Sequence, residues 1–137
     1  VNKEAIEWLR QQVMDRLEQA RAATPGPWQV AQQPGRQVVY STHFDNDGRQ
    51  GYITDVNLRE NAPHIALNDP QDVIARCEAE LAIVTRCEAV LAAFADPERG
   101  LWPDVTRRER THASATLHDL AAGYRHRDGY AQHWGEA

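Results

Sequence analysis

A chain of 137 residues, 42% hydrophobic and 26% charged, is long enough for one domain with its own core and too ordinary in composition for wholesale disorder. A net charge of -5 and a pI near 5.6 argue against a dedicated nucleic-acid binder, whose domain carries a basic face, and are too slight for mimicry of DNA. No apolar run approaches the roughly 20 residues a membrane span needs, and Val1-Asn2-Lys3-Glu4 lacks the apolar stretch of a signal peptide, so a cytoplasmic protein is expected.

Residues 3–22 read as an amphipathic helix: Ile6, Leu9, Val13, Leu17 and Ala20 recur on one stripe at about 100° per residue. Trp8 falls on the far side of that stripe, as an edge residue or as part of a second contact surface. The hexapeptide Ala23-Thr24-Pro25-Gly26-Pro27-Trp28 then stops the helix, since Pro25 lacks an N–H and disfavours the α conformation at Thr24. Three strand-like pieces over 28–56 (28–32, 37–43 and 51–56) are rich in Val, Tyr, Ile and Thr and separated by turn residues, the pattern of a small antiparallel sheet. Trp28 is expected to anchor the Pro-Gly-Pro turn, largely buried between the first helix and this sheet.

The strongest helix signal covers 69–95. Asp69 is placed to cap it, Pro70 takes the first helical position and Asp72 suits the dipole, while its wide apolar face marks a central helix packed on more than one neighbour. Cys77 and Cys87 lie on this helix about 15 Å apart along the axis, too far to bridge, so two buried, reduced thiols are expected. A C-terminal helix over 105–122 carries Arg107, Arg108 and Arg110 near its start, the wrong end for the dipole, and they are expected to pair with acids elsewhere or to face a partner. The tail, 123–137, is rich in Tyr, His and Trp, with a last helical turn expected around Tyr130 to Trp134; aromatics at a terminus indicate docking. The fold class is thus α+β: about three antiparallel strands with a long central helix, an N-terminal helix and a C-terminal helix in a single domain.

The chemistry-bearing residues form no catalytic set. Neither Ser41 nor Ser114 sits in a nucleophile elbow, both cysteines fall on an apolar face, no glycine-rich phosphate loop is present, and the histidines lack the spacing and third ligand of a zinc site. The reading is therefore not an enzyme, with no cofactor and no metal. His64, in the context Ala62-Pro63-His64-Ile65 at the join of sheet and central helix, either hydrogen-bonds backbone or contacts a ligand.

The order of these pieces, with Ala-Thr-Pro-Gly-Pro-Trp at 23–28, His64-Ile65-Ala66-Leu67-Asn68-Asp69-Pro70 entering the long helix, and Thr116-Leu117, Leu120-Ala121, Tyr124, His126, Tyr130 and Trp134 at the end, resembles a family of small uncharacterised actinobacterial and phage proteins. It is also similar to the Ead-type accessory proteins of temperate phages. The family signature usually carries a proline between the histidine and the second tyrosine; here Arg127-Asp128-Gly129 stands in that place. The resemblance implies a non-enzymatic phage or prophage accessory protein that binds a host protein and interferes with host defence or metabolism, with self-association as a homodimer as a further expectation. The alternative is a protein that binds or sequesters a nucleotide-like small molecule. Candidate binding residues are Trp8, His64, Tyr124, Arg125, His126, Tyr130, His133 and Trp134, with nucleic acid and membrane not expected as partners.

Overall fold

In a computed structural model, the described residues are 1–44, 50–56, 61–95 and 103–135. Along the chain they form α1 (Lys3–Ala22), β1 (Trp28–Gln33), β2 (Arg36–Phe44), β3 (Gln50–Val56), α2 (Asn61–Leu67), α3 (Pro70–Ala93), α4 (Pro103–Ala122) and α5 (Tyr130–Trp134). This is the α+β class the pattern implied, with its three-stranded antiparallel sheet and long central helix. The Asp45-Asn46-Asp47-Gly48 turn and the Asp96 to Gly100 break lie outside the described residues.

The chain packs as two compact units, one of residues 15–78 and the other of residues 1–14 with 79–137, and α1 and α3 run unbroken through both divisions. Helix α1 starts where the Ala5 N–H donates to Asn2 Oδ1 at 2.8 Å, an N-cap that satisfies one of the free donors of the first turn. Its buried residues are the expected stripe, Ile6, Leu9, Val13, Leu17 and Ala20, joined by Ala5.

In the unit of 15–78, the sheet has the order β1-β2-β3. The β1–β2 pairing closes at Gln33 opposite Arg36, across a turn in which Gly35 takes φ 77, a left-handed conformation glycine adopts without steric cost. The pairing of β2 with β3 is interrupted after Val39 and again after Tyr40. Val39 of β2 and Ala62 of α2 are fully buried against each other, with Trp28, Ile53, Ile65 and Ala66 packed around them. Trp28 is half-buried on this cluster of sheet and α2, less enclosed than expected, and its indole N–H donates to the Thr24 carbonyl at 3.0 Å.

Helix α2 is a departure from the sequence reading, which placed 61–67 in the join. Seven residues are too few to show a helical period, and Pro63 reads as a breaker although proline is tolerated in a first turn, where its missing N–H has no partner to lose. His64 consequently sits inside a helix, exposed, and its carbonyl accepts from Asn68 Nδ2 at 2.8 Å.

The Pro-Gly-Pro turn is tied down from several sides of this same unit. Gly26-Pro27 is a cis peptide, Ser41 Oγ donates to the Pro25 carbonyl, and the Pro27 carbonyl accepts from the Thr42 N–H at 3.0 Å. Buried Asp69 joins the turn to α3: one carboxylate oxygen accepts the Asp72 N–H at 3.0 Å as the helix cap, and the other lies 3.4 Å from the Trp28 N–H. The cap and Pro70 stand where the sequence placed them, and α3 ends at Ala93, two residues short of the expected end.

In the other unit, the first half of α1, the second half of α3, α4 and α5 bury Leu9, Val13, Val84, Leu117, Ala121, Tyr124 and Trp134. The Arg10 guanidinium bonds Glu88 and reaches Thr85 Oγ1 at 3.4 Å, fastening α1 to α3 within this unit. Helix α4 starts at Pro103, two residues ahead of expectation, with proline at the first helical position.

Candidate functional site

Beyond α4 the chain turns back on itself. The Tyr124 N–H donates to the Ala121 carbonyl at 2.8 Å and the Arg127 N–H to the Tyr124 carbonyl at 2.9 Å, and Gly129 at φ 85 then leads into α5. This winding brings the candidate aromatics to the N-terminal half of α1. Trp8 meets Tyr130 edge-on, with ring centroids 6.1 Å apart, and His133 at 5.9 Å, and its indole N–H donates to the Asp128 carbonyl at 3.1 Å. Off-stripe Trp8 is therefore the seat of the tail. Tyr124 is buried with its hydroxyl donating to Glu80 of α3 at 2.5 Å, and buried Trp134 stands perpendicular to His118 of α4 at 5.0 Å.

Of the eight candidates, Trp8 thus meets both Tyr130 and His133, while Tyr124 and Trp134 serve the packing of the tail. Arg125, His126 and His64 are exposed, His64 in the other unit. Among the described residues no group of three His, Cys, Asp or Glu side chains is placed to hold a metal ion.

Helix α4 carries two depressions that the sequence did not single out. Its buried stripe, Ala113, Leu117 and Ala121, separates them, because at 100° per residue Glu109, His112 and Thr116 fall on one flank and Arg107, Thr111, Ser114 and His118 on the other. The first flank faces α3 across an apolar groove of about 560 Å³, floored by Ala89, Val90, Ala93, Phe94 and Ala113 and edged by Arg86, Glu109 and His112. Cys87 also borders it. Neither cysteine forms a disulfide and both are buried, and burial pushes the Cys87 thiol up from its ordinary pKa against the opposing pull of Arg86. The second flank borders a more polar cleft of about 820 Å³. The signal for the second was the run of arginines near the start of α4: Arg107 and Arg110 line it, and among the described residues no carboxylate pairs with Arg107, Arg108 or Arg110, so of the two outcomes expected for them, pairing with acids is not observed there.

The chain belongs to a family of unknown function, DUF6221, whose family model matches residues 2–136. No curated protein and no solved structure matches it. No helix of the described residues is long and apolar enough to cross a membrane.

Proposed function

We propose that this member of the family is a non-enzymatic accessory protein of phage or prophage type, working in the cytoplasm of a bacterial host by holding a host protein, and that the α3–α4 groove takes an amphipathic helix of that partner. One observation carries the reading: an apolar floor lies open beside α4 and is built largely from small residues. Ala89, Ala93 and Ala113 let a second helix approach closely, and Val90 and Phe94 supply the larger apolar contacts. The edge argues for the charge of the occupant. Arg86 makes its side-chain hydrogen bond to its own helix, to the Ala82 carbonyl at 3.4 Å, and shares the edge with His112 and the acid Glu109. A helix with an apolar stripe and acidic flanks satisfies both floor and edge.

Placing a charge on the floor tests this. Ala93→Glu should abolish capture of the partner from host lysate while leaving the melting temperature unchanged, because Ala93 is only half-buried. Capture that survives Ala93→Glu removes the groove from the function. A native homodimer that the same substitution converts to monomer makes a second copy the occupant and overturns the host-protein reading.

A further inference from the structure

On the other flank of α4 the cleft of about 820 Å³ adjoins a smaller cavity of about 390 Å³, the two sharing His118 and Val1 in their walls. Arg107, Arg110, Ser114 and His118 line the cleft from one strip of the helix, and Leu91 and Ala95 close it with apolar surface. The strip is rich in donors: two guanidiniums, a hydroxyl and an imidazole, with the acid Asp119 at its edge. The hydroxyl of Thr111, also in the wall, already donates to the Arg107 carbonyl at 2.9 Å.

The guanidiniums at this site are treated differently from others in the same unit and beyond it. Arg10 has Glu88 and Glu7, and Arg21 has Glu78 at 3.4 Å, whereas Arg107 and Arg110 have no carboxylate among the described residues of a chain that is acidic overall. Two guanidiniums on one wall of a cleft, with no carboxylate partner among the described residues, are arranged for an anion brought from outside, and guanidinium forks match phosphate in geometry.

The smaller cavity has another character. His118, His133 and Trp134 line it with Asn2 and Gly135. Trp134 is 5% exposed, and its indole N–H is buried without an acceptor among the described residues. A buried donor of this kind is costly to leave unmade and is satisfied by an acceptor entering beside the ring. Arg110 and His118 are separated by about 12 Å along the helix axis.

We infer that the joined cavities bind a small phosphorylated molecule of nucleotide size, its phosphate between Arg107 and Arg110 and its planar, acceptor-bearing group beside His118 and Trp134. The site is separate from the groove, so this inference stands or falls independently of the host-protein reading.

Calorimetric titration of the full chain with AMP, adenosine and inorganic phosphate tests it. AMP should bind at least tenfold more tightly than adenosine, and Arg107→Gln with Arg110→Gln should remove that preference without lowering the melting temperature, both side chains being exposed. Trp134→Phe keeps an aromatic ring, smaller than the indole, and deletes the N–H; it should weaken AMP several-fold and leave inorganic phosphate unaffected. Absence of binding at millimolar AMP and phosphate, or AMP binding that survives the double arginine substitution, overturns the inference. So does a single-stranded oligonucleotide that displaces AMP at far lower concentration, which would make the strip a nucleic-acid surface.

Discussion

Gly26 shows how one absent side chain holds together a turn and a helix cap. A Cβ built there would lie 2.9 Å from Asp69 Cγ and about as close to both carboxylate oxygens, which are already engaged by the Asp72 and Trp28 N–H groups. The carboxylate has nowhere cheap to go, because moving it uncaps α3. Gly26→Ala should therefore cost about 1–3 kcal/mol in urea unfolding, the scale of overpacking a filled site. Asp69→Ala alone should cost about 1 kcal/mol through the lost cap. The double variant should cost clearly less than the sum, since removing the carboxylate makes room for the new methyl. Strict additivity would show that the Gly26 contact is not what constrains the turn.

Among the elements, the join between α4 and α5 decides where the C-terminal aromatics go. Gly129 sits at φ 85, and a Cβ there would lie 2.8 Å from Trp8 Nε1, so both backbone and neighbour demand glycine. Gly129→Ala should lower stability by about 1–3 kcal/mol and disturb the packing of Trp8, read as a shift in tryptophan emission in a Trp8-sensitive background. Trp8→Phe should relieve the clash and leave the φ penalty, so the second substitution should cost less in that background. An equal cost in both would separate Gly129 from Trp8. Helix α2 teaches a different lesson at this scale: seven residues containing a proline carry no periodic signal, and only the burial of Ala62 on Val39 makes them a helix.

For the molecule as a whole, the tail belongs to the packing of its unit. Ending the chain at Gly123 deletes Tyr124 and Trp134, 6% and 5% exposed, and uncovers the Trp8 face of α1 and the end of the α4 stripe. Burial of large aromatics on the scale of roughly 3–5 kcal/mol each is a large share of the 5–15 kcal/mol a domain has in total. The truncated chain should lose its cooperative thermal transition or melt at much lower temperature by circular dichroism. A melt superimposable on that of the full chain would mean that the tail adds nothing to the fold and is free to serve as an interface.

Several features were legible in the residues alone because their causes are local. The α1 stripe, the Asp69-Pro70 entry of α3, the three strands and the helical turn at Tyr130 to Trp134 all arise from periodicity, capping and turn chemistry within a few residues. The run of arginines near the start of α4 was visible too. Tertiary structure was needed for whatever joins distant residues: Trp8 with Asp128 and Tyr130, Tyr124 with Glu80, Gly26 with Asp69. The two flanks of α4 were likewise hidden, since a helix wheel shows which residues share a strip but not what α3 places opposite them. Side-chain type and spacing set what each segment can do by itself, whereas the partner of a side chain, and with it the groove and the cleft, is decided only when segments far apart in the chain compete for the same burial.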